Sequence, residues 1–163
     1  MPIDAAVLDA MHSHGVTYEE MDCDPDLADT ARFCEAYGIP LERSANTILV
    51  ASRKPEGRFA ACLVLATTRL DVNGLVRQRL GARKVSFADA ETTKELTGME
   101  IGGVTIFGLP DDLPVWVDAG VLHHSWVVIG AGSRTAKIRL DPGQLEGLAG
   151  FEVVPDLGRE VSV

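Results

Sequence analysis

The sequence predicts a single mixed α/β domain, and three observations predict it. Two apolar runs, Asn46 to Ser52 and Phe59 to Ala66, flank the turn-forming stretch Arg53-Lys54-Pro55-Glu56-Gly57, which is the pattern of a buried hairpin. Segments with apolar residues at helical spacing are interspersed with such runs. No repeat, low-complexity tract or long linker divides the 163 residues, so one domain is expected to span 1–163.

Taken in order, Pro2 to His14 carries Val7, Leu8 and Met11 at helical spacing, and Gly15 is a natural stop. Asp29 or Thr30 is placed to N-cap a helix running to Tyr37, closed by Gly38 and Pro40. After the hairpin, Asp71 to Leu80 is amphipathic, with Val72, Leu75, Val76 and Leu80 turned inward and Gly81 ending it. Asp89 to Leu96 reads as a short helix. Apolar strands run into Val117-Asp118 and through Val127 to Ile129, and a small-residue turn at Gly130-Ala131-Gly132 leads to a strand from Ala136 to Leu140. Asp141-Pro142 then opens a last helix, with proline at the first position, where its missing N–H costs nothing.

Composition bounds the function. Hydrophobic residues make up 46% and the mean hydropathy is +0.10, which excludes a disordered chain. No apolar run approaches the ~20 residues of a membrane span, so no membrane partner is expected. The start, MPIDAAVLDAMHSHG, has neither a basic n-region nor a long apolar h-region, and a cytoplasmic protein is the expectation. Cys23, Cys34 and Cys62 form no C-x-x-C pair, so no disulfide framework or thiol zinc site is indicated. His12, His14, His123 and His124 lack the i, i+4 spacing that puts two imidazoles on one helix face, and no metal is expected. Gly130-Ala131-Gly132-Ser133-Arg134 has Thr135 where a dinucleotide fingerprint needs its third glycine, so no nucleotide cofactor, and no cofactor of any kind, is expected.

A net charge of −9 opposes tight, autonomous binding of a nucleic acid, and no DNA partner is expected. Arg69, Arg77, Arg79, Arg83 and Lys84 nevertheless fall close together, and such a run ordinarily marks a solvated face.

The stretch Lys84 to Pro110 breaks from a polar, helix-like run into a loop holding Gly98, Gly102, Gly103 and Gly108. Such a loop either makes a tight connection or presents bare N–H groups to a ligand. Thr105 beside it either touches that ligand or caps its own turn.

In order and spacing, much of the chain resembles the YbaK family of aminoacyl-tRNA deacylases, related to the editing domain of bacterial prolyl-tRNA synthetase. The residues that carry the likeness are Asp29-Thr30-Ala31, Gly38, Ser44 to Val50, Phe59 to Leu65, Asp71, Lys84 to Ala88, Thr97-Gly98, Gly102 to Leu109, Val117-Asp118 and Gly130 to Leu140. The resemblance implies a curved mixed sheet surrounded by helices. It also implies trans-editing hydrolysis of mischarged aminoacyl-tRNA without metal, on a pocket between the Asn46 strand, the Gly102 loop and the Gly130 to Lys137 segment.

Carried over, the resemblance makes Asn46, Gly102 and Gly103 the catalytic positions, with the two glycines as backbone N–H donors. Thr47, Thr105, Ile106, Gly130 and Lys137 become substrate-binding positions. Three departures bear on activity. Asn46 stands where active members carry lysine, Ile106 replaces the proline of a Gly-x-x-x-Pro loop, and Lys137 stands where related members carry aspartate. Lys137 is a candidate to restore the missing charge. The alternative is a weakened or inactive binding module for an aminoacyl group, a small amino-acid-like ligand or a protein partner. The partners implied are the acceptor end of aminoacyl-tRNA, met transiently, and an aminoacyl-tRNA synthetase, whose participation the sequence leaves open with the oligomeric state and the amino acid.

Overall fold

A computed structural model describes residues 3–160 of the chain. Its first helix, α1, is Ala5–His14, N-capped by the Asp4 carboxylate and stopped at Gly15; the expected start at Pro2 lies outside the described residues. Strand β1 (Glu19–Asp22) and helix α2 (Thr30–Tyr37) follow, with α2 ending at Gly38. Strands β2 (Ala45–Lys54) and β3 (Glu56–Leu65) then form the expected hairpin.

The reason that hairpin reads as two nearly continuous apolar runs is burial on both faces. Alternate residues go opposite ways. Leu49, Ala61 and Leu63 enter a core with Val7 and Met11 of α1, while Val50, Ala60, Cys62 and Val64 enter a second core with Val76, Leu80 and Trp116.

Strand β4 (Thr68–Leu70) leads into a wide turn over Val72–Val76, then one helical turn, α3 (Arg77–Leu80). The Asp71 carboxylate accepts from the N–H groups of Gly74 and Leu75, both at 3.2 Å, and Val76 N–H reaches back to the Asp71 carbonyl at 3.0 Å. The expected helix over Asp71 to Leu80 is therefore half a π-turn, because this carboxylate takes the Leu75 N–H that would close the first α-helical bond on the Asp71 carbonyl and leaves that carbonyl to Val76. Strand β5 (Lys84–Phe87) and helix α4 (Ala90–Thr97) come next, and the glycine-rich loop carries the chain to β6 (Val115–Asp118). Strands β7 (Val127–Gly130) and β8 (Ala136–Leu140) match expectation. The segment opened by Pro142 is only a 3-10 turn, Pro142–Leu145, before β9 (Phe151–Val154) and β10 (Gly158–Glu160).

The strands form a mixed five-stranded sheet, a three-stranded sheet and a two-stranded ribbon. In the largest the order is β5-β2-β3-β6-β9, antiparallel around β2 and parallel where β6 joins β3 and β9 joins β6. The second sheet is antiparallel in the order β1-β8-β7, and a single bridge from Ser44 to Val128 couples it to the start of β2. Among the described residues no helix is long and apolar enough to cross a membrane.

Candidate functional site

Strand β2 is longer than the strand beside it, and that mismatch makes the site. Strand β5 pairs with β2 only from Val50 to Lys54, with Ala88 N–H closing on the Leu49 carbonyl at 2.9 Å. At the other end, the Ser44 bridge holds β2 to β7. Between them the outer edge of β2 is open, and a cavity of about 340 Å³ occupies the gap. Its wall includes Asn46, Thr47, Phe87, Gly102, Gly130 and Lys137. Because Leu49 turns its carbonyl toward that edge, strand alternation turns the N–H and C=O of Thr47 the same way, into the gap. The Thr47 hydroxyl is also buried and has no hydrogen-bond partner among the described residues.

Lys137 sits on β8 opposite Gly130 of β7 and is 7% exposed. Its Nζ donates to the carbonyls of Ala28 at 2.8 Å and Gly102 at 3.0 Å, and lies 5.5 Å from the centre of the Phe33 ring. Among the described residues no carboxylate comes within 4.0 Å of it. Burial pushes its pKa below the ordinary lysine value, against the opposing pull of Cys23 and Asp29. An ammonium has three donors. Two are fixed on carbonyls, and the group faces the cavity as a positive charge without an anion.

Asn46 is oriented by its neighbour. The Thr30 hydroxyl donates to Asn46 Oδ1 at 2.5 Å, leaving the two Nδ2 protons without an acceptor among the described residues. Thr30 opens α2, so the helix start sets the amide's direction. Asp29 occupies the N-cap position, yet its carboxylate makes no capping bond and lies 3.6 Å from Arg134 Nη1.

The glycine loop is held from outside by that same arginine. Arg134 Nη1 donates to the Ile101 carbonyl at 2.7 Å, and its Nε and Nη2 donate to the Pro25 carbonyl at 3.2 and 2.8 Å. In a trans peptide the N–H points opposite the carbonyl. The Gly102 N–H therefore points away from Arg134, and no acceptor meets it among the described residues. Gly102 has φ +92°, and a Cβ there would lie 2.2 Å from Arg134 Nη1.

The expected site residues separate accordingly. Asn46, Thr47, Gly102, Gly130 and Lys137 share the cavity. Gly103 is off its wall, with its N–H donating to the Glu100 carbonyl at 2.9 Å, so that donor is already engaged. Thr105 is buried, with its hydroxyl unpartnered among the described residues, and does not line the cavity. Ile106 is 1% exposed in the main core beside Phe107. Gly130 is where the backbones touch, since a Cβ on it would lie 2.2 Å from the Val104 carbonyl oxygen.

Sequence reasoning placed no site role on Thr30, Arg134 or Phe87. Their partners lie on other elements, and a local pattern carries no sign of them. The three thiols are buried and burial raises the pKa of each, Cys62 to about 12, so none is an activated nucleophile. What the cavity offers is a cluster of donors: an ammonium, an amide NH2 and bare backbone N–H groups. That set stabilises negative charge developing on a carbonyl oxygen.

A profile of the aminoacyl-tRNA editing domain family matches residues 24–148 of the chain. The uncharacterized protein YwhH of Bacillus subtilis (strain 168) is 29% identical over 133 residues, which is 82% of each chain. The crystal structure of hypothetical protein APE2540 superposes with a TM-score of 0.81 at 24% identity, covering 94% of this chain and 99% of that one. The structure of a candidate trans-editing enzyme for prolyl tRNA synthetase gives a TM-score of 0.79 at 24% identity over 96% of both chains. These two likenesses establish the fold.

Proposed function

The chain belongs to the aminoacyl-tRNA editing domain family, and from that membership and the cavity's chemistry we propose that it hydrolyses mischarged aminoacyl-tRNA in trans. One observation carries the proposal: the Lys137 ammonium, held on two backbone carbonyls with no carboxylate within 4.0 Å among the described residues, on the same cavity wall as the oriented Asn46 amide. A volume of about 340 Å³ lies in the range of small-molecule sites and suits an aminoacyl group better than a length of polynucleotide.

Water adds to the ester carbonyl, and its proton passes to solvent or to the neighbouring ribose hydroxyl. Lys137, the Asn46 Nδ2 donors and the Gly102 N–H stabilise the oxyanion. As the tetrahedral intermediate collapses, the bond from the carbonyl carbon to the ribose oxygen breaks. That oxygen takes up a proton, and the amino acid leaves as its carboxylate. A charge-assisted hydrogen bond is roughly twice as strong as a neutral one, so Lys137 outweighs Asn46 in this step. The Thr47 edge and Gly130 shape the space for the aminoacyl group, and the substrate places the work in the cytoplasm.

The neutral Asn46 favours a second reading, in which the cavity binds an aminoacyl group without turning it over. A deacylation assay decides between them, using Ala-, Cys- and Ser-tRNAPro and Ser- and Gly-tRNAAla with the native protein and Asn46→Lys. Release of amino acid by the native protein supports hydrolysis. Silence from the native protein with activity gained by Asn46→Lys supports binding alone.

A further inference from the structure

The free edge of the five-stranded sheet carries an unusual concentration of charge for a chain of net −9. Lys54 of β2 and Lys84 of β5 are direct cross-strand partners, and like charges in that relation destabilise a sheet. Arg83 N–H donates to the Lys54 carbonyl at 2.7 Å, and Arg53 Nε donates to Ser86 Oγ at 2.7 Å. All four cations are exposed, and none has a carboxylate within 4.0 Å among the described residues. The acidic neighbours are Glu56, opposite Arg53 across the hairpin, and Asp89, which feels Arg53 but is occupied capping α4 at Thr92. Of the other arginines in the sequence cluster, Arg79 pairs with Glu152 and stacks on Trp116, Arg77 bonds the Asn73 carbonyl, and Arg69 lies on the separate β4–β10 ribbon opposite Arg159.

This basic edge ends at the cavity. Arg53 Nη2 reaches the Phe87 carbonyl at 3.4 Å, and Phe87, which is 54% exposed, belongs to the cavity wall. Lys84 and Phe87 are about 10 Å apart along the strand. The two are three positions apart, so strand alternation turns their side chains to opposite faces of this edge strand, and a single-stranded nucleic acid crossing the edge meets cations with its phosphates on one side and the ring with a base on the other.

We propose that this edge receives the unpaired 3′ end of an RNA, with phosphates over Arg53, Lys54, Arg83 and Lys84 and the terminal base on Phe87. The inference rests on the reading of the cavity as an aminoacyl-ester site, since it names how the RNA attached to that ester is held. A net-acidic protein then binds only the tip of its substrate, because its remaining surface repels the rest.

The probe is a short single-stranded RNA, uncharged with amino acid and ending in CC followed by 2-aminopurine, whose fluorescence falls on stacking. The native protein quenches it. Phe87→Ala abolishes the quench and weakens binding about tenfold, while Phe87→Trp keeps both. Arg83→Ala with Lys84→Ala keeps the quench at saturation and makes the dependence of log K on log salt shallower by about 0.7 per lost contact. No RNA binding, or a quench indifferent to Phe87→Ala with that variant folded by circular dichroism, overturns the proposal. In the first case the lysines act only to block edge-to-edge sheet pairing. The probe carries no ester, so quenching without deacylation sustains this surface and removes the hydrolytic reading. Deacylation without quenching does the reverse.

Discussion

Replacing Gly102 by alanine tests whether the loop's geometry is imposed by Arg134. The new Cβ would meet Arg134 Nη1 at 2.2 Å and its guanidinium carbon at 3.1 Å, with φ at +92°. Two costs add. An L side chain in left-handed backbone costs about 1–2 kcal/mol. Displacing the guanidinium breaks its 2.7 Å bond to the Ile101 carbonyl and loosens its hold on Pro25, which for partly exposed bonds is worth about 1 kcal/mol. A total of about 2–3 kcal/mol corresponds to a fall in Tm of roughly 4–12 °C for a chain of this length. Gly98→Ala is the matched control, since Gly98 has φ +73° but no atom within 4 Å of its added Cβ. It should lower Tm through backbone strain alone and leave deacylation unchanged. Gly102→Ala should lower Tm further and also slow deacylation by an order of magnitude or more, as the Gly102 N–H shifts. Equal Tm shifts in the two variants, with full activity in Gly102→Ala, would refute the clamp.

Three further outcomes follow from burial. Because the folded pKa of Lys137 is lowered from 10.5, the enzyme-dependent rate should fall with rising pH before an ordinary lysine would titrate, and that limb should vanish in Lys137→Met. The stability sign is opposite. Between the lowered folded value and 10.5 the unfolded chain binds the extra proton, so stability should rise with pH in that window, as denaturant melts at a series of pH values will show. All three cysteines should resist iodoacetamide in the native protein and react once it is unfolded; rapid labelling of the native protein, read by mass spectrometry, would contradict the buried thiols.

The elements legible in the sequence were those whose burial leaves a repeating signature. Strands β2 and β3 are apolar on both faces, and α1 and α2 end at glycines, so both pattern and punctuation were visible. The polar strands β1 and β10, Glu19–Asp22 and Gly158–Glu160, each pair with one neighbour and show no apolar alternation. At Asp71 the apolar spacing suited a helix, but hydrogen bonds from Gly74 and Leu75 to one carboxylate widened its first half into a π-turn. The cavity strands were legible through the resemblance, and the partnerships inside the cavity were not. Arg134 and Lys137 find their carbonyls on Pro25 and Ala28, each 109 residues away, and only the folded chain brings them together.

The central claim is that Lys137 supplies the positive charge of the cavity in place of a lysine at position 46. Its most direct test is single-turnover deacylation of a mischarged tRNA by Lys137→Met and Asn46→Ala, beside the native protein. Loss of a charged oxyanion donor should slow Lys137→Met by about 10²–10³, with Asn46→Ala slowed much less. A Lys137→Met variant that turns over at the native rate would contradict the claim.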